Sequence, residues 1–246
     1  MDLSLRSERP ARLHREASPA SSMRLREDAP VIPSNAPPSF AAEQYRSLAV
    51  QVEERINPIG TWGFALTVTS PEEGAGKTLT SLNLALTLTR GRERRVLLLE
   101  GDLWRPRLHT YFEPERRDRP GLQQVLERRM PIGEAVVPVE GSSLDVLLAG
   151  TSEATGDVMS GRRMSEVLTE ARAGYEMVVI DSPPMTLLAS ARSLAARADG
   201  VVLVLRAGQS KRKEIEKTLA ALGPEKLIGA VLNGTRTSLR DYRGYY

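Results

Sequence analysis

A short segment, Ser70-Pro71-Glu72-Glu73-Gly74-Ala75-Gly76-Lys77-Thr78, joins an apolar run to a stretch of helical composition. Small residues at 74–76 let successive main-chain N–H groups converge on one anion, and the N-terminus of a following helix adds partial positive charge there. Lys77, the first lysine in the chain and one of five among 34 basic residues, would neutralise phosphate charge. The Thr78 hydroxyl would ligate a divalent cation. This reads as a phosphate-binding loop supplied by Gly74, Ala75, Gly76, Lys77, Thr78 and Leu79, although Pro71 stands where the strict pattern G-x-x-x-x-G-K-[ST] has its first Gly.

Two acidic motifs follow apolar runs of the same kind. After V-L-L-L comes Glu100-Gly101-Asp102, where one carboxylate could act as general base and the other hold a metal's water shell. A solvated acidic turn is the plain alternative for that motif. After M-V-V-I comes Asp181, placed to anchor Mg²⁺ through water, with Pro183 and Pro184 stopping the strand.

The elements that must position these groups are legible in the apolar pattern. Strand-like runs lie at 64–69, 96–99, 144–148, 177–180, 201–205 and 227–232, with helix-like stretches at about 78–90, 121–129, 160–173, 190–197 and 210–222. The runs are apolar on both faces, as strands covered by helices on either side must be. The alternation predicts an α/β fold, a doubly wound and mainly parallel sheet flanked by helices. Ligands of such sheets bind beyond the C-terminal strand ends, where all three motifs fall. Tyr45, Leu48, Val52 and Ile56 recur at helical spacing and predict an amphipathic helix over 40–56. Residues 1–39, rich in Arg, Ser, Ala and Pro, have no sustained apolar period and read as a disordered tail. That leaves one P-loop domain at 40–238 and a tyrosine-bearing tail at 239–246.

Composition narrows the function further. A formal net charge of +3 on 246 residues argues against a nucleic-acid surface, and the absence of Cys excludes disulfides and thiolate metal sites. No apolar run reaches the length of about 18–20 residues that a membrane helix needs, so a cytoplasmic protein is expected. Two basic clusters, Arg90/Arg92/Arg94/Arg95 and Lys211/Arg212/Lys213/Lys217, read as solvated faces, with an acidic partner or an anionic membrane surface as the alternative.

Together the motifs resemble the bacterial tyrosine kinases of capsule and exopolysaccharide assembly, which are similar in fold to MinD and ParA. That family's second motif is similar to three apolar residues then D-x-D-x-R-R-P, and this chain has L-L-L-E-G-D-L-W-R-P. Its third is similar to Y-D-x-V-I-I-D-T-P-P, and this chain has Y-E-M-V-V-I-D-S-P-P. D-G-V-V-L-V-L-R-A-G, G-A-V-L-N-G and the ending R-D-Y-R-G-Y-Y follow in the family's order, so the resemblance spans residues 40–246.

The resemblance implies an ATP–Mg²⁺ protein-tyrosine autokinase. Lys77, Glu100 and Asp102 would be catalytic, Thr78, Asp102 and Asp181 would hold Mg²⁺, and Asn233 would contact adenine. Tyr242, Tyr245 and Tyr246, three of the six tyrosines, would be the autophosphorylation sites of a neighbouring subunit. Glu43 and Arg46 match two positions of the family's oligomerisation motif E-x-x-R-x-x-R, with Ala49 at the third. The implied partners are further copies of the chain, a separate membrane-embedded polysaccharide co-polymerase that recruits and activates the kinase at the inner face of the membrane, and a cognate tyrosine phosphatase.

The chain departs from the pattern at Glu100 (Asp in the family), Trp104 (Arg) and Glu73 (Pro), and its tyrosine cluster is short. A shift of about an ångström at a catalytic carboxylate can cost about 10²-fold in rate. These departures keep open a catalytically weak nucleotide-binding adaptor of the export machinery. A MinD- or ParA-like positioning ATPase is a third reading, opposed by Glu72 where those proteins carry a signature Lys.

Overall fold

The computed structural model describes residues 22–32, 39–56, 63–90, 94–113, 119–151 and 161–235. At its centre is a seven-stranded sheet of order β5-β6-β3-β7-β2-β8-β9. The strands are β2 (Phe64–Thr69), β3 (Val96–Glu100), β5 (Val137–Pro138), β6 (Leu144–Leu147), β7 (Met177–Asp181), β8 (Gly200–Arg206) and β9 (Leu227–Asn233). All pairings are parallel except the short edge strand β5, which runs antiparallel to β6.

Every residue of β2, β3 and β7 is buried, which explains their unbroken apolar runs. Leu66, Val68, Leu98 and Val179 face one layer, formed by α1 (Phe40–Ile56) and α2 (Lys77–Leu88). Ala65, Leu97, Leu99, Val178 and Ile180 face the other, built largely from α3 (Leu122–Leu126), α4 (Ile132–Ala135), α5 (Arg162–Gly174) and α6 (Ala189–Arg197). Each fully buried Leu or Ile contributes about 1.5–3 kcal/mol, so this three-layer burial dominates the stability. The last helix, α7 (Arg212–Leu222), packs Leu222 into a small cluster with Ala191 and Ala195 of α6.

The expected strands and helices all form, most within two residues of their expected ends. Elements without a sequence signal were missed. Residues 22–32, expected within a structureless tail, form a strap across the first layer. Its strand β1 (Arg24–Leu25) pairs antiparallel with β4 (Phe112–Glu113), Met23 is 2% exposed, and the Ile32 N–H donates to Asn83 Oδ1 at 2.7 Å. A two-residue pairing has no periodicity to detect, and Met23 is a single buried anchor. The rest of the expected N-terminal tail and the tail at 239–246 lie outside the described residues.

The Arg cluster before β3 is also corrected in part. Arg94 and Arg95 are buried, and Arg94 ion-pairs with Glu53 of α1 at 2.9 Å. Lys217 and Arg212 do lie on an exposed face of α7, paired with Glu214 and Glu216. Among the described residues, no helix is long and apolar enough to cross a membrane.

Candidate active site

The strand order places the chemistry. The chain leaves β2 toward β3 and β6, returns to β7, and continues on the other side of β2 with β8 and β9. Strand-end residues of β2, β3 and β7 therefore meet at one edge of the sheet, with Glu100 opposite Asp181 in the β3–β7 register.

After Thr69 the backbone turns through Gly74 (φ 75°) and Gly76 (φ 95°), left-handed conformations that favour glycine. Gly76 is the N-cap of α2 and no side chain caps the helix, leaving the main-chain N–H groups of its first turn directed at the loop. A methyl group on Gly76 would come within 2.5 Å of Asn233 Nδ2. Asn233, at the end of β9, donates from that nitrogen to the Ala75 carbonyl at 2.9 Å and to Thr80 Oγ1 at 3.2 Å. It therefore holds the phosphate loop in shape.

Lys77 is 9% exposed. Burial lowers its pKa, and the charges of Asp181, Asp102, Glu73 and Glu72 oppose that shift. Asp181 is 1% exposed at the end of β7. Burial raises its pKa to about 6, against hydrogen bonds from Thr78 and Ser81 and the charge of Lys77. Ser81, one turn into α2, donates to Asp181 Oδ1 at 3.2 Å. A buried carboxylate beside a hydroxyl and an uncapped helix N-terminus matches what an anion with a hard divalent cation requires.

The two acids of the β3 motif part company. Asp102 lines a cavity of about 460 Å³ together with Gly74, Gly76, Lys77 and Thr78. Its Oδ1 accepts from the N–H groups of Trp104 (3.2 Å) and Arg105 (3.0 Å), which fixes the turn. Glu100, expected at the reacting centre, is 1% exposed and points away from that cavity into main-chain donors. Desolvation raises its pKa to about 7, against the hydrogen bonds it accepts.

The cavity brings in residues that no motif marked: Arg107, Thr110 and Tyr111 from the loop after β3, and Leu187 and Leu188 ahead of α6. Their only signal was nearness in sequence to the acidic motifs. Of the acids at the loop, Glu73 ion-pairs with Arg105, while Glu72 accepts a hydrogen bond from the Ser210 hydroxyl.

Asn233 borders a separate cavity of about 610 Å³ between α1 and the edge strand β9. Glu43 and Arg46 pair with each other at 3.0 Å on the exposed side of α1. Tyr242, Tyr245 and Tyr246 are outside the described residues.

The residues present can bind a phosphate chain at the N-terminus of α2, hold a divalent cation through Thr78 and Asp181, and present Asp102 to a second substrate. Residues 66–222 match the family model described as AAA domain. The chain is 34% identical over 219 residues to the tyrosine-protein kinase YwqD of Bacillus subtilis, covering 88% of this chain and 90% of that protein. Among solved structures it superposes on the BceF tyrosine kinase domain with a TM-score of 0.71 at 27% identity, covering 83% of this chain and 81% of that one. It superposes on the Pyrococcus furiosus cell division ATPase MinD with a TM-score of 0.59 at 24% identity, covering 72% and 75%, a likeness of fold. The chain thus belongs to the AAA-domain family of P-loop proteins and, within it, to the bacterial tyrosine-protein kinases.

Proposed function

We propose that this chain is an ATP-dependent protein-tyrosine kinase that regulates polymerisation and export of an exopolysaccharide or capsule. The observation that carries the reading is the convergence of Lys77, Thr78 and Asp102 on one cavity at the uncapped N-terminus of α2, with Asp181 buried beside them.

Main-chain N–H groups of Gly74–Thr78 bind the phosphate chain, and Lys77 neutralises and orients its terminal groups. Asn233 braces the loop and sits beside the base. Thr78 and Asp181 would hold Mg²⁺, and the bound ion would add neutralisation of phosphate charge. Asp102 faces the same cavity and accepts the proton of an incoming tyrosine hydroxyl. The acceptors are Tyr242, Tyr245 and Tyr246 of a second copy in a homo-oligomer to which Glu43 and Arg46 contribute. The kinase works in the cytoplasm, recruited and activated at the membrane by a separate co-polymerase and reversed by a tyrosine phosphatase.

One observation favours a second reading. Glu100 occupies the place of a catalytic Asp in the family pattern yet is committed to main-chain donors, which suits a nucleotide-dependent adaptor without kinase activity.

Incubation of the purified chain with ATP–Mg²⁺, alone and with the cytoplasmic segment of the co-polymerase, separates the two. Phosphotyrosine on the C-terminal tail, reduced at least about 10²-fold in Lys77→Met, is the expected result. Nucleotide binding without any phosphotyrosine in the presence of the partner segment would establish the adaptor.

A further inference from the structure

Strand β3 ends by sending adjacent residues in different directions. Glu100 continues the face of Val96 and Leu98, toward the α1 and α2 layer. Gly101 is pinned against β7, its N–H donating to the Asp181 carbonyl at 2.7 Å. A methyl group there would lie 2.9 Å from the Leu194 side chain and 3.1 Å from the same carbonyl, so glycine gives the close passage against β7 from which the chain turns Asp102 into the cavity at the phosphate loop.

The Glu100 carboxylate meets three main-chain donors from two separate loops. Its Oε1 accepts from the N–H groups of Arg107 (2.7 Å) and Leu108 (2.6 Å), in the loop after β3. Its Oε2 accepts from the N–H of Ala149 (2.9 Å), in the loop after β6. Both oxygens are therefore engaged, and the residue is 1% exposed. A proton acceptor must lie within hydrogen-bond reach of the hydroxyl it deprotonates.

We infer that Glu100 is a positioning residue, a buried clamp that fastens the loop carrying Asp102, Arg107, Thr110 and Tyr111 to the loop leaving β6. It acts on the reaction through the placement of that loop, while Asp102 takes the proton. The side chain also explains why Glu stands where the family pattern has Asp. An Asp carboxylate, shorter by one C–C bond of about 1.5 Å, would not span both loops from the same backbone position. An adjoining cavity of about 450 Å³ has these two loops as its walls and Glu100 in its lining, so releasing the clamp alters that space as well.

The role assigned to catalysis rests on the kinase reading, but the clamp itself does not, and the test separates them. Amide hydrogen exchange is measured on the full chain with a non-hydrolysable ATP analogue and Mg²⁺, for the native protein, Glu100→Gln and Asp102→Asn. Gln offers one acceptor oxygen in place of two, so exchange at residues 107, 108 and 149 should rise together in Glu100→Gln by about tenfold or more. Exchange in α2 should not change, and Asp102→Asn should leave all three amides protected. Steady-state kinetics should give Glu100→Gln a raised KM for ATP with kcat lower by about 10²-fold or less, the signature of a misplaced loop. Asp102→Asn should lower kcat by about 10²–10⁴-fold with KM for ATP nearly unchanged.

Unchanged exchange at 107, 108 and 149 in Glu100→Gln would overturn the clamp. Loss of kcat in that variant with KM and exchange both unaltered would make Glu100 the proton acceptor instead. If the native chain has no kinase activity, exchange together with analogue affinity still decides whether the clamp exists. Should Glu100→Gln not fold, Ala149→Pro removes one donor while leaving the carboxylate, and it should free the 107 and 108 amides only in part; full protection there would refute the coupling.

Discussion

Gly76 is the residue on which the phosphate loop turns. Its φ of 95° disfavours any side chain by about 1–2 kcal/mol, and Asn233 occupies the space a Cβ would need. Gly76→Ala should lower stability by about that amount in thermal denaturation and weaken nucleotide binding more than tenfold in a fluorescent-nucleotide titration. A well-folded variant with native affinity would mean that the loop does not need this geometry. The neighbouring acids illustrate the same dependence on context. Glu100 and Asp102 are two residues apart and chemically similar, yet one is spent on main-chain amides and the other faces the cavity. The spacing announced a pair of carboxylates; which of them faces the cavity follows from the turn after Gly101 and from the main-chain donors that meet Glu100.

At the scale of elements, the strap formed by residues 22–32 ties together parts of the domain that the phosphate site uses. Met23 exchanges main-chain bonds with Pro138 and Glu140, Arg26 donates to the Tyr111 carbonyl, and Ile32 is held by Asn83 of α2. Tyr111 lines the cavity at the phosphate loop, so the strap braces one of its walls. Met23→Ala should cost about 2–5 kcal/mol of unfolding free energy in a denaturant titration, as deletion of a buried side chain does. A loss below about 0.5 kcal/mol would place the strap outside the cooperative unit. Helix α2, by contrast, was fully legible in sequence, because Gly-x-Gly-Lys-Thr both ends the loop and starts the helix. Its apolar run is buried nearly throughout.

For the whole molecule, the sheet edge gathers charge that the fold must bury. Glu100 is raised from 4.5 to about 7, chiefly by desolvation, so the folded nucleotide-free protein binds its proton more tightly than the unfolded chain does. Stability from this group is complete below about pH 4.5 and is lost as pH rises through about 7. Asp181 on β7 adds repulsion, and Arg107, His109 and Arg119 line the cavity on the other side. Gln cannot titrate, so the stability of the native protein relative to Glu100→Gln should decline steadily between pH 5 and 8. Paired melts without nucleotide would measure this, and a pH-independent difference would mean that Glu100 is ionised throughout.

Local chemistry was written in the sequence because it depends on residues that are neighbours along the chain. The strands, most helices, the phosphate loop and the acids at strand ends all follow from periodicity and motif spacing, and so does the mainly parallel sheet. Contacts between distant segments were not. The direction of Glu100, the bracing of the loop by Asn233, the burial of Arg94 against Glu53 and the pairing of residues 24–25 with 112–113 each join positions far apart in sequence. Such contacts leave no period along the chain. Only the packing of three layers brings their partners within hydrogen-bond reach, and that packing decided which of the chemically capable side chains face the cavity at the phosphate loop.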